Sequence, residues 1–245
     1  MSTPHLLHSW DLPPQEAVQL QRELATRVIR EGQPEAVNIV AGIDISANDR
    51  TGLARAAIVA LAYPSMDVLE WVLHEETLRF PYIPGLLSFR EAPSILAGFQ
   101  KLRHAPDLLM VDGQGIAHPR RLGIASHIGL LLDLPAIGCA KSVLTGHLKG
   151  ELGQDIGAQV PLIANDEVVG VGLRTKPRTN PLIISIGHRI TLETAVSYVL
   201  ACCRGYRLPE PTRQAHNTAS GKAPTSVKTE ESDQQPHAHT LWENL

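Results

Sequence analysis

Two aspartates occupy positions where an apolar strand pattern should exclude charge. Asp44 lies within Val37 to Ser46 (V-N-I-V-A-G-I-D-I-S), and Asp112 closes the run Asp107 to Val111 just before a G-Q-G turn. Burying a carboxylate without compensation costs on the order of several kcal/mol, so each needs a cation, hydrogen-bond donors or an exit to solvent. If the first and fourth strands are neighbours, about 4.8 Å apart, the carboxylates meet near the carboxyl ends of the sheet. They then repel unless a divalent cation lies between them. Such oxygen donors suit Mg²⁺, with Mn²⁺ as a substitute. Glu91 offers a third carboxylate at the start of the following helix. Each acid also has a purely structural reading: Asp44 capping a turn through Ser46 and Asn48, Asp112 in an Asx-turn, and Ser88 to Glu91 as a capping box.

Just before Glu91, Phe80 to Leu87 reads F-P-Y-I-P-G-L-L. Pro81 and Pro84 each fix their own φ and restrain the residue before them, so the loop should be stiff. A stiff loop presenting Tyr82 and Ile83 can wedge into a base stack and replace the lost stacking with its own contacts. Alternatively, Tyr82 simply packs on the core.

The elements that must position these groups follow from periodicity. Ala17, Leu20, Leu24 and Val28 recur at helical spacing across Gln15 to Glu31, with Gly32 as a stop signal. Strand patterns cover 37–46, 53–62 and 68–78, the last two joined tightly around Tyr63, Pro64 and Ser65. A helix over 88–103, a strand over 107–111, a helix over 122–132 and a strand over 135–140 then imply an α/β sheet whose later strands are parallel. Strands at 168–173 and 182–187 follow, and Thr191 can cap a helix over 191–203. From Asn217 to Leu245 the composition turns polar, which predicts a disordered tail behind a single domain of residues 1–216. His237 and His239 form an H-x-H in that tail, to which no role is assigned.

At 43% hydrophobic but only 4% aromatic residues, the core must be mainly aliphatic. The formal charge is −3, and the last 29 residues hold two lysines against four acids, leaving about −1 for residues 1–216. That excludes a nucleic-acid binder working by bulk charge. A local basic strip survives: Arg120, Arg121, Lys141 and Lys149 face Asp133 alone between Gly113 and Lys149, with His118, His127 and His147 interleaved. Three cysteines without C-x-x-C spacing fit a reducing compartment, and no leader or membrane-length apolar run is visible. A soluble, cytoplasmic protein is expected. There is no G-x-S-x-G, P-loop or H-E-x-x-H, which argues against serine hydrolase, NTPase and zinc-protease chemistry.

Four blocks together resemble the endonuclease V (deoxyinosine 3′ endonuclease) family. They are A-G-I-D-I-S with Asp44, F-P-Y-I-P-G-L-L-S-F-R-E with Glu91, V-D-G-Q-G-I-A-H-P-R-R-L-G-I-A-S-H-I-G from Val111, and L-P-A-I-G-C-A-K with Lys141. The resemblance implies an RNase H-like α/β fold with a central mixed β-sheet flanked by helices. It also implies Mg²⁺-dependent hydrolysis of the second phosphodiester 3′ to a deoxyinosine, leaving 3′-hydroxyl and 5′-phosphate ends. By matched position, Asp44, Asp112 and Glu91 are its metal-binding acids, Glu91 through water, and His216 helps with a second metal. Tyr82, within Pro81, Ile83 and Pro84, is the strand-separating wedge. Gly85, Leu87, Gly113, Ile124 and Gly138 form the hypoxanthine pocket, and His118 and catalytic Lys141 lie near the phosphates. The expected partner is DNA containing deoxyinosine, with inosine-containing RNA as an alternative; no membrane partner and a monomer are expected. Rival readings are an RNase H-like nuclease for inosine-containing RNA or branched and mismatched structures, and a deaminated-base binder that no longer cleaves.

Overall fold

The computed structural model describes residues 7–48 and 50–225. Helix α1 (Pro14–Ala25) precedes a meander of β1 (Ile39–Asn48), β2 (Leu53–Ala62) and β3 (Val68–Thr77). Then come α2 (Leu87–Phe99), β4 (Leu108–Val111), α3 (Ile124–Leu132) and β5 (Ala136–Ala140). The second half adds β6 (His147–Leu148), β7 (Gln159–Ala164), β8 (Glu167–Leu173), β9 (Leu182–His188), α4 (Leu192–Ala201) and α5 (Glu210–Ala219). Among the described residues the strands form one mixed sheet in the order β3-β2-β1-β4-β5-β9-β8-β7-β6. β1, β4 and β5 run parallel, as the strand–helix–strand–helix–strand order requires, while every other neighbouring pair is antiparallel.

Each face of the sheet carries its own aliphatic core. Alternation along β1 and β4 sends Val40, Leu108 and Met110 to one face, with Leu24 of α1 and Val196 of α4. Ala41, Ile43, Leu109 and Val111 go to the other, under Ile95 of α2 and Ile128 of α3. No helix of the described residues is long and apolar enough to cross a membrane.

Several expected boundaries shift for identifiable reasons. α1 stops at Ala25, where Thr26 Oγ1 donates to the Glu23 carbonyl at 2.7 Å. Gly32, at φ +96°, is not a helix cap; its carbonyl accepts from Thr191 N at 3.0 Å. Ser88 to Glu91 is no capping box either: α2 begins at Leu87, has no side-chain cap, and Ser88 Oγ lies 3.0 Å from His127 Nδ1. Thr191 does cap α4, accepting from Thr194 N at 3.2 Å. Strand β7, not among the expected elements, carries Pro161 on the exposed side of its alternating pattern. Helix α5 runs through His216 and Asn217, across the expected edge of the tail. Most of that tail, including His237 and His239, lies outside the described residues.

A buried polar chain ties the N-terminal strap to α2. His8 Nδ1 donates to the Ser9 carbonyl at 2.7 Å, which leaves its Nε2 to accept from His127 Nε2–H at 2.9 Å. His127 Nδ1 then accepts from the Ser88 hydroxyl. Both rings are therefore neutral, and burial, with His8 adding to it, pushes His127 down to about 3. The unfolded chain takes up protons below about 6.5 that the fold refuses, so stability is lost as pH falls from there towards 3. At pH 5 this single site costs about 2 kcal/mol. Replacing His127 with Gln should therefore flatten the fall in melting temperature between pH 7 and 5; an unchanged slope would contradict the assignment.

Candidate active site

The parallel register of β1 and β4 pairs Ile43 with Val111, and Asp112 N donates to the Ile43 carbonyl at 2.8 Å. One residue further on, Asp44 and Asp112 fall side by side, and the period-2 rule turns both to the face shared by Val40 and Met110. Oxygens of Asp44 and Asp112 and a ring nitrogen of His216 all lie within 4.8 Å of one another. Asp44 Oδ1 accepts from Ile45 N and Oδ2 from His216 Nδ1, each at 2.8 Å. Lys141, one residue beyond β5, forms an ion pair with Asp112, and its Nζ lies 3.3 Å from His216 Nδ1.

Acidic groups are concentrated here. Burial and then Asp112 raise the Asp44 carboxyl above its usual range, against the bond from His216 and the charge of Lys141. Glu91, in α2, is not one of the close trio, but burial, then Asp44 and, more weakly, Asp112 push it up to about 8. Two carboxylate ligands, an imidazole and a third acid nearby are a donor set that fits a hard divalent cation. Such a cation would be held by Asp44, Asp112 and His216, with Glu91 reaching it through water.

His216 depends on a close approach of backbone. A Cβ on Gly42 of β1 would lie 1.8 Å from the Pro211 carbonyl oxygen of α5, so only glycine lets this helix lie against the strand two residues before Asp44. α5 was missed because its buried face sets polar residues beside only the small apolar Pro211, Ala215 and Ala219. Glu210 is fully buried, paired with Arg213 at 2.7 Å and accepting from Gln214 at 3.2 Å, while Thr212 donates to the Pro209 carbonyl.

The proline loop forms a second part of the site. Leu86 N donates to the Ile83 carbonyl at 2.9 Å, closing a turn with Pro84 and Gly85 at its centre, and Gly85 has φ +80°. Pro followed by a left-handed glycine is the type II pattern, so this turn is set by its own residues. Tyr82 is 63% exposed rather than packed in the core, with Arg90 Cζ 6.0 Å from its ring centre. Beside it lies a cavity of about 380 Å³. Tyr82, Ile83, Pro84, Gly85, Leu87, Gly113, His118 and Ile124 all line this cavity, and so do Asp112 and Lys141. Leu87 and Ser88 bring in the first turn of α2, which no side chain caps, although Phe89 N donates to the Leu86 carbonyl at 3.1 Å.

Three expected site residues sit elsewhere or act differently. Pro81 lines the neighbouring groove with Trp10 and Arg79 instead of the cavity. Gly138 is also off the cavity wall; a Cβ there would come within 2.4 Å of Gly115 N, so its role is to let the 113–115 turn lie on β5. His118, expected near the phosphates, lines the cavity from a buried position. It is 4% exposed, its Nδ1 accepts from Arg120 N at 3.1 Å, and its Nε2–H donates to the Gly85 carbonyl at 3.1 Å. Burial, followed by Arg120, lowers it to about 4.

Gln21 and Arg120 were overlooked. Arg120 Nη2 donates to the Gly85 carbonyl at 2.7 Å and its Nε donates to Gln21 Oε1. The signal for Gln21 was present: it occupies the buried stripe of α1 between Ala17 and Leu24, where an amide must be bonded.

A mixed sheet with parallel central strands, helices on both faces and paired aspartates on adjacent strand ends is an RNase H-like fold, and the class it defines here is a nuclease. The endonuclease V family model matches residues 22–217, and the chain belongs to the endonuclease V family. Endonuclease V of Gloeobacter violaceus is 54% identical over 213 residues, covering 86% of this chain and 87% of that protein. Endonuclease V of Dehalococcoides mccartyi is 52% identical over 214 residues, covering 87% and 96%. The crystal structure of endonuclease V from Streptomyces avermitilis superposes with a TM-score of 0.82 at 39% identity, covering 87% of this chain and 94% of that one. Endonuclease V of Ciona intestinalis, solved with DNA containing an inosine followed by a ribo-adenosine, superposes with a TM-score of 0.76 at 27% identity, covering 86% and 98%.

Proposed function

We propose that this protein hydrolyses the second phosphodiester 3′ to a deoxyinosine, with Mg²⁺ as its cofactor. The observation that carries this reading is that Asp112 belongs at once to the cavity wall and to the close trio of metal-ligating groups. A base held in the cavity therefore brings its own strand to the acids. The inosine-containing DNA held by the Ciona relative supports the choice of base.

The residues divide the work. Tyr82, on a turn that cannot relax, fills the gap left when the base leaves the stack. The cavity receives the base, and the backbone N–H groups of Leu87 and Ser88 at the start of α2 suit a purine's oxygen and ring nitrogens. Walls in which Gly85, Gly113 and Gly123 allow close approach fit around hypoxanthine and leave the extra amine of guanine buried without a partner. At the acids, a water oxygen bonds to phosphorus as the P–O3′ bond breaks, and the departing 3′ oxygen takes up a proton. A divalent cation held by Asp44, Asp112 and His216 would supply charge for the water and the leaving oxygen. Lys141 brings an ammonium to the phosphate oxygens, and His216 orients Asp44.

The test is cleavage of an inosine-containing oligonucleotide with both product ends mapped. A nick one nucleotide beyond the lesion's 3′ neighbouring bond, with 3′-hydroxyl and 5′-phosphate ends and full arrest by EDTA, is expected. Binding without product in Mg²⁺ or Mn²⁺ would instead indicate a non-catalytic binder, and cleavage confined to matched RNA would reassign the substrate. For Tyr82→Ala, duplex cleavage should fall about tenfold or more, while cleavage of the same lesion in single-stranded DNA should be nearly unchanged. Equal loss on both substrates would mean that the ring only packs.

A further inference from the structure

We infer that Gln21 is a positioning residue that sets the width and base selectivity of the cavity, from a helix that contributes nothing to the acidic centre. The inference rests on the reading of that cavity as the base pocket. Gly85 is the left-handed residue of the stiff turn, and its carbonyl is held by three donors. They are Gln21 Nε2 at 3.0 Å, Arg120 Nη2 at 2.7 Å and His118 Nε2 at 3.1 Å. Gln21 Nε2 also donates to the Leu122 carbonyl at 2.8 Å, and Gln21 Oε1 accepts from Arg120 Nε. Gly85 and Leu122 both line the cavity, one from the proline turn and one from the 118–122 segment, and one amide joins them.

Packing alone does not call for an amide at this position. Gln21 is 1% exposed on a stripe whose neighbours are Ala17 and Leu24, where an aliphatic side chain would bury as well and carry no polar group to satisfy. Every polar atom of the side chain is used, and all its partners lie in the turn or in the 118–122 segment. The amide fixes how far apart the turn and that segment stand and leaves Asp44 and Asp112 untouched. Its loss should widen the grip on the base without altering the bond-breaking step.

The experiment compares full-length protein with Gln21→Met and Gln21→Glu, with exposed Gln19→Met on the same helix as the control. Steady-state cleavage is measured on duplexes carrying inosine or an undamaged guanine, alongside thermal unfolding. For Gln21→Met, KM on inosine should rise about tenfold and the inosine-over-guanine ratio fall about tenfold, with kcat within about twofold. Gln21→Glu keeps the acceptor for Arg120 but loses both donations to carbonyls, so it should show the same KM shift, and it serves if the methionine variant does not fold. Unchanged KM and selectivity in a folded variant would overturn the inference, as would a loss confined to kcat. A wild-type protein that cleaves but shows no preference for inosine would overturn the base-pocket reading itself, and this inference with it.

Discussion

Asp112→Asn should cut cleavage of inosine-containing DNA by about 10³-fold or more while leaving the fold intact. Asp112 is the one acid in both halves of the site, and a neutral amide in its place offers a divalent cation much weaker charge. The fold should survive because the native arrangement already sets two carboxylates against each other: Asp112 helps hold the Asp44 carboxyl above its usual range. Removing that repulsion offsets loss of the ion pair with Lys141, which is partly exposed to solvent and correspondingly weak. Thermal unfolding without divalent ions should give a melting temperature close to that of the parent, and single-turnover cleavage should give the loss. Cleavage within tenfold of the parent would remove Asp112 from the chemistry.

Gly42→Ala should be nearly as damaging to activity without touching an ionisable group. The added methyl carbon would sit 1.8 Å from the Pro211 carbonyl oxygen, backbone against backbone, so α5 has to move. Overpacking of this kind costs about 1–3 kcal/mol, and displacement of His216 by about 1 Å from Asp44 should cost about 10²-fold in cleavage. A variant with parental melting temperature and rate would show that α5 does not position His216.

What the sequence disclosed and what it hid follow from where the signals live. β1, β4 and β5 were legible because strands buried on both faces must be continuously apolar, and that pattern makes Asp44 and Asp112 conspicuous. Their meeting could be anticipated from strand order, since parallel neighbours align their carboxyl ends. The rigidity of the Pro81 to Gly85 loop was legible as well, because Pro84 and Gly85 encode their turn locally. α5 was not, because its buried face mixes Glu210, Thr212, Gln214 and Thr218 with Pro211, Ala215 and Ala219, an apolar stripe too small to stand out. The neutral, inward role of His118 also escaped, since the charge of a histidine is decided by burial and partners that only the folded chain supplies. Gln21 sits 64 residues from the carbonyl it holds, so no local pattern could connect them.

The most direct test is to locate manganese by anomalous scattering in crystals grown with Mn²⁺, for the parent and for Asp112→Asn. A peak within coordination distance of carboxylate oxygens of both Asp44 and Asp112 in the parent, lost in the variant, is the predicted result. Manganese bound elsewhere with this pair bare, or a peak that persists unchanged when Asp112 is neutralised, would contradict it.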